Sequence, residues 1–112
     1  MTSAAPGLGR INPTSRINPT SWNVAFGYDQ AQLRPAPTQV LTLAGQGPVD
    51  EHGALVHDGD VTAQLALTMA NVETVLARGG MDLGATPPAT LLGVTRLAIP
   101  GMAVEIDAVA AR

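Results

Sequence analysis

A run near the end of the chain, Val104-Glu105-Ile106-Asp107-Ala108-Val109-Ala110, sets two carboxylates on alternate positions of an otherwise apolar stretch. Successive side chains of a strand point to opposite faces. The run therefore predicts a strand with Val104, Ile106, Ala108 and Ala110 on one face and Glu105 and Asp107 on the other. A carboxylate held on such a face either meets solvent or lies in a cleft where its proton affinity can be used.

The rest of the chain supplies what that strand could pack against. Residues 39–43 alternate and read as a second strand. It runs into Ala44-Gly45-Gln46-Gly47-Pro48, where two glycines permit a close backbone approach and Pro48 ends the ladder. Gln46 reads as a hydrogen-bonding residue at the strand end. Asp50-Glu51-His52-Gly53 reads as a hairpin turn, with residues 54–56 as a short partner strand.

A helix is predicted over residues 61–78. Asp60 can cap it, Val61, Leu65, Met69, Val72 and Leu76 form one apolar stripe, and Gly79 supplies a left-handed stop. Gln64 and Asn71 share a face as its polar edge. Beyond Pro87-Pro88, read as a stiff extended segment, residues 89–97 alternate and are expected to form a strand. One more strand is expected near residues 26–33. Several strands with one helix indicate an α+β fold.

Composition narrows the class. A chain of 112 residues suits one domain. Charged residues are 13% of the chain, well below the usual ~25%, which predicts that another subunit covers part of the surface. The six basic residues are all arginine and are scattered singly in a chain of net charge −3, so no stripe is available to follow a phosphate backbone and nucleic-acid binding is not expected. The absence of cysteine excludes disulfides, thiolate nucleophiles and thiolate metal sites. His52 and His57 are spaced as loop residues, and no metal is expected there. The N-terminus lacks the layout of a signal peptide, and no apolar run reaches the ~18 residues that would span a bilayer. A cytoplasmic protein without a membrane partner is expected.

Residues 1–21 read as a flexible tail, rich in Pro, Ser, Thr and Gly, ahead of a single domain over residues 22–112. The tail holds a perfect tandem copy, Arg10-Ile11-Asn12-Pro13-Thr14-Ser15 followed by Arg16-Ile17-Asn18-Pro19-Thr20-Ser21. Six residues are too few for a solenoid unit, and no more than one copy is expected to have a fixed role. Trp22 is expected to anchor the tail to the core.

Taken in order, Phe26-Gly27-Tyr28-Asp29-Gln30-Ala31, Leu43-Ala44-Gly45-Gln46, Gly59-Asp60 with Gln64 and Asn71, and the final Val104–Ala110 run resemble the Rid family, the reactive intermediate deaminases also called YjgF. The start Ile17-Asn18-Pro19-Thr20-Ser21-Trp22 resembles one of its subgroups, and the similarity runs from residue 17 to residue 112. The resemblance implies a chorismate-mutase-like α+β fold, with a mixed sheet packed by helices. It implies a homotrimer with small-molecule clefts between subunits. It also implies hydrolysis of enamines and imines, such as 2-aminoacrylate, to a carbonyl product and ammonia without metal or organic cofactor. By position, Glu105 would orient a water, Gly45 would offer backbone contacts, and Tyr28, Gln46 and Leu91 would line the substrate site.

The chain departs from the family pattern in two places. Deaminating members carry an arginine at the start of the fifth strand that grips the substrate carboxylate. That position is Ala89 here, and a nearby position that is often Cys is Leu91. The family also has a strand and a second helix, roughly 20–30 residues with their connections, where this chain passes directly from Gly84 to Ala85. Three functions follow as expectations: an imine or enamine deaminase, a ligand-binding trimer that has lost the chemistry, or a structural, chaperone-like trimer.

Overall fold

The computed structural model describes residues 15–86 and 89–112. The first repeat copy through Thr14, and Pro87-Pro88, lie outside the described residues. In order, the elements are strand β1 (Ser15–Ile17), a 3-10 turn (Val24–Phe26), strand β2 (Ala31–Leu33), strand β3 (Val40–Gln46), helix α1 (Val61–Arg78), a second 3-10 turn (Leu83–Ala85) and strand β4 (Ile106–Ala111). The architecture is α+β. The strands form two antiparallel pairs, β1 with β2 and β3 with β4, in place of the mixed sheet that was expected.

The β3–β4 pair carries the core. Leu41 opposes Ala110 and Leu43 opposes Ala108, which puts these four side chains on the face toward α1. Leu43 and Ala110 join Val72, Leu76 and Ala85 in the buried cluster, with Leu41, Val75, Ile106 and Ala108 packed against it. Burying a Val or Leu side chain fully is worth about 1.5–3 kcal/mol, so Val72 and Leu76 dominate the adhesion of the helix. The opposite face carries Val40, Thr42 and Val109 and has no helix over it among the described residues; Val40 is 59% exposed and Val109 45%.

Helix α1 has the predicted bounds. The Asp60 carboxylate accepts from the Ala63 N–H at 3.0 Å, satisfying one free donor of the first turn. Two details differ from expectation. Gly79 has φ −86°, and the left-handed residue is Gly80 at φ 75°. Gly79 is small for another reason: a β-carbon there would stand 3.2 Å from Leu41 Cδ1 and closer to Cδ2. The buried stripe is also rotated. Gln64, Thr68, Val72 and Leu76 are buried, while Val61 and Leu65 are exposed. Gln64 faces inward because its amide meets backbone groups of the loops that flank the sheet, whereas the Thr68 hydroxyl is buried without a partner among the described residues.

Residues 89–97 are not a strand. Their alternation is genuine, but a strand needs a neighbour to hydrogen-bond with, and the only partner of β4 among the described residues is β3. Leu91, Leu92 and Val94 are consequently exposed. The expected strand at residues 54–56 is reduced to one bridge between Val49 and Leu55, across a turn closed by Asp50 N–H to Ala54 O at 3.0 Å. Gly84 and Ala85 lie within the second 3-10 turn, where Asp82 Oδ1 accepts from the Gly84 N–H at 2.8 Å and Ala85 is buried. The chain thus passes the Gly84–Ala85 junction in a single closed turn.

Candidate functional site

The site is built on an irregularity of the β3–β4 ladder. Leu43 opposes Ala108, yet Gln46 opposes Ile106. Three steps on β3 therefore match two on β4, and Ala44 and Gly45 together face Asp107. This is a β-bulge, which leaves a residue out of the ladder and re-aims its neighbours. Glu105 enters just beyond it. The run from Val104 to Ala110 alternates in burial as predicted, with Glu105 and Asp107 on the exposed side.

Glu105 folds over the bulge. A β-carbon added to Gly45 would lie 2.9 Å from Glu105 Cδ and 3.2 Å from Cγ, and closer still to Oε1. The carboxylate occupies the space that any other residue at position 45 would fill. Two of the residues predicted for the site are thereby brought into contact. Glu105 has no hydrogen-bond or ion-pair partner among the described residues, so both of its oxygens are open to a water or a ligand.

Gln46 adjoins this contact. Its Nε2 donates to the Ala44 carbonyl at 3.2 Å, spanning the bulge at the strand end as expected. Tyr28 stands elsewhere, in the β1–β2 unit. Its ring meets Trp22 edge to face at 6.0 Å, and its carbonyl accepts from Asn23 Nδ2 at 2.5 Å. No hydrogen bond or aromatic contact links Tyr28 to Glu105 among the described residues. Trp22 is exposed and packs on Tyr28, not on the β3–β4 core as expected. Leu91 is 98% exposed.

Helix α1 holds the bulge from below. Asn71 Nδ2 donates to the Gly47 carbonyl at 2.8 Å and to the Val49 carbonyl at 3.2 Å, fixing the exit from β3. Gln64, 1% exposed, donates to the His57 carbonyl at 3.1 Å and the Gly101 carbonyl at 2.9 Å, and accepts from the Ala103 N–H at 2.8 Å. The last two bonds fix the approach to Glu105. Both amides read in sequence as a polar helix edge; the missing signal was what lies opposite them, which is backbone.

A second polar centre lies in the β1–β2 unit. Asp29, 6% exposed, accepts from Arg16 Nε at 2.9 and 3.0 Å, from Asn18 Nδ2 at 3.0 Å and from Gln32 Nε2 at 2.9 Å. The Arg16 hydrogen bond, with those of Gln32 and Asn18, holds the Asp29 carboxyl well below the usual carboxylate range. Arg34 ties this unit to the core by donating to the Ala85 carbonyl at 2.9 Å and to the Thr86 carbonyl at 2.5 Å. Hydropathy alone does not reveal this centre, although the amide-rich run around Asp29 marks it.

No helix among the described residues is long and apolar enough to cross a membrane. No family model and no curated protein matches the chain. Among solved structures, the chain is similar to YyfB from Yersinia pestis, described as a protein of unknown function of the conserved Rid protein family. The identity is 25% and the TM-score 0.79, over 89% of this chain and 99% of that one. The fold is thus that of a Rid-family protein.

Proposed function

We propose that this chain is a Rid-family protein that hydrolyses an enamine or imine to a carbonyl product and ammonia, with Glu105 as the group that orients and deprotonates water. The observation that carries this reading is the Glu105 carboxylate lying over the bare backbone of Gly45 at the bulge. In the reaction, water adds through oxygen to the imine carbon as Glu105 accepts one of its protons. Glu105 hands that proton to the nitrogen and then relays the hydroxyl proton to it as well, so the carbon–nitrogen bond breaks with ammonia leaving and the carbonyl forming; an enamine enters the same sequence after tautomerising to its imine. Backbone donors freed from the ladder near Gly45 would stabilise the developing charge.

The uncovered outer face of β3–β4, with Val40 and Val109 exposed, supports a second part of the proposal: the chain works as a homotrimer, with the site closed by a neighbouring subunit. In that assembly Tyr28 and Leu91, which do not meet Glu105 within one chain, would line the cleft from across the interface.

A second reading is favoured by Ala89 and by the exposed Leu91: a trimer that binds an apolar or neutral small molecule and has lost the chemistry. One pair of measurements separates the two. Ammonia release from freshly generated iminopyruvate above the buffer rate supports the deaminase. Thermal stabilisation by neutral or aromatic compounds, with ammonia release at the buffer rate, overturns it in favour of binding.

A further inference from the structure

The second copy of the tandem repeat is not a passive tail. Its residues insert into a set of partners supplied by residues 23–32. Arg16 pairs with Asp29, with Nη2 at 2.9 Å from Oδ1. Asn18 donates to Asp29, and its Oδ1 accepts from the Gln30 N–H at 2.9 Å and from Asn23 Nδ2 at 2.7 Å. Thr20 accepts from Gln30 Nε2 through its hydroxyl at 3.0 Å and its carbonyl at 3.1 Å. Arg, Asn and Thr at alternate positions are thus each read by a specific partner. The same three residue types recur at the same spacing as Arg10, Asn12 and Thr14.

We propose that residues 23–32 form a docking site for the hexapeptide itself, and that the two copies compete for it. A shift of six residues is even, so every side chain returns to the face it left, and the antiparallel pairing of Arg16 with Gln32 and Ile17 with Ala31 is reproduced by Arg10 and Ile11. With the first copy docked, residues 16–21 become a short loop between Ser15 and Trp22, a length that compact surface loops commonly have. The second copy, adjacent in sequence to the site, is the favoured occupant. The exchange bears on Tyr28, because Asn23 Nδ2 serves both the docked Asn18 and the Tyr28 carbonyl.

Trp22 is the sole tryptophan and abuts the docked copy, so its emission reports docking. The test follows Trp22 emission through thermal unfolding of the full chain. It compares wild type, Arg16→Ala with Asn18→Ala, and a variant that adds Arg10→Ala and Asn12→Ala to those two. Exchange protection of the Gln30 amide serves as a second readout, because its acceptor is the docked asparagine. The proposal expects the two-site variant to keep more than half of the wild-type protection and midpoint that the four-site variant loses. Equal behaviour of the two-site and four-site variants, whether both fall or neither does, overturns it.

Discussion

The carboxylate of Glu105 occupies the space that a side chain at position 45 would take, so Gly45 is required by its neighbour and not by its own backbone angles. Gly45→Ala would force the exposed end of Glu105 aside. Because that side chain can swing into solvent, the stability cost should be small, under about 1 kcal/mol. If Glu105 acts on water as proposed, displacing its carboxylate by about 1 Å can cost on the order of 100-fold in rate. The expected outcome is an almost unchanged melting temperature with ammonia release reduced at least tenfold, read on the same preparation.

Gln64 fixes the approach to Glu105 through Gly101 and Ala103. Gln64→Leu keeps the volume but leaves those groups and the His57 carbonyl without their partner. A loss of about 1–3 kcal/mol is expected in urea unfolding. Gln64→Glu keeps the acceptor for Ala103 but turns its other oxygen onto the His57 and Gly101 carbonyls, so at neutral pH it should destabilise at least as much as leucine.

Thr68 is fully buried, and its hydroxyl has no partner among the described residues. Thr68→Val preserves the branched shape and removes the unsatisfied group. It should stabilise the chain by roughly 1 kcal/mol, seen as a higher midpoint in the same urea series.

The Asp29 carboxyl titrates below its ordinary value when folded, so its ionised form stabilises the β1–β2 unit. That contribution is complete above the unfolded carboxyl value, near pH ~4, and declines as pH falls from there through the lower folded value. Trp22 emission should be flat from neutral pH to about pH 4 and change only in more acid solution. Asp29→Asn should abolish that acid transition.

Helix α1 and the facing of β4 could be read from sequence because each is decided locally: a cap and a Gly-Gly stop for the helix, strict alternation for the strand. Residues 89–97 alternate as convincingly, yet form no strand, because pairing depends on a neighbour that local pattern cannot supply. The same limit applied to Gln64, whose burial follows from backbone groups distant in sequence, and to the Asp29 centre, whose members read singly as loop residues. The contact between Glu105 and Gly45 joins two positions that the family resemblance marked separately; the bulge that brings them together depends on a one-residue offset between distant strands.

The most direct test of the account is the rate of ammonia release from freshly generated iminopyruvate by wild type and by Glu105→Gln, at equal folded concentration. The account predicts release above the buffer rate for wild type and a fall of about 100-fold or more for the glutamine variant, which keeps the shape but cannot take up the proton. Equal rates for the two proteins, at the buffer level or above it, would contradict it.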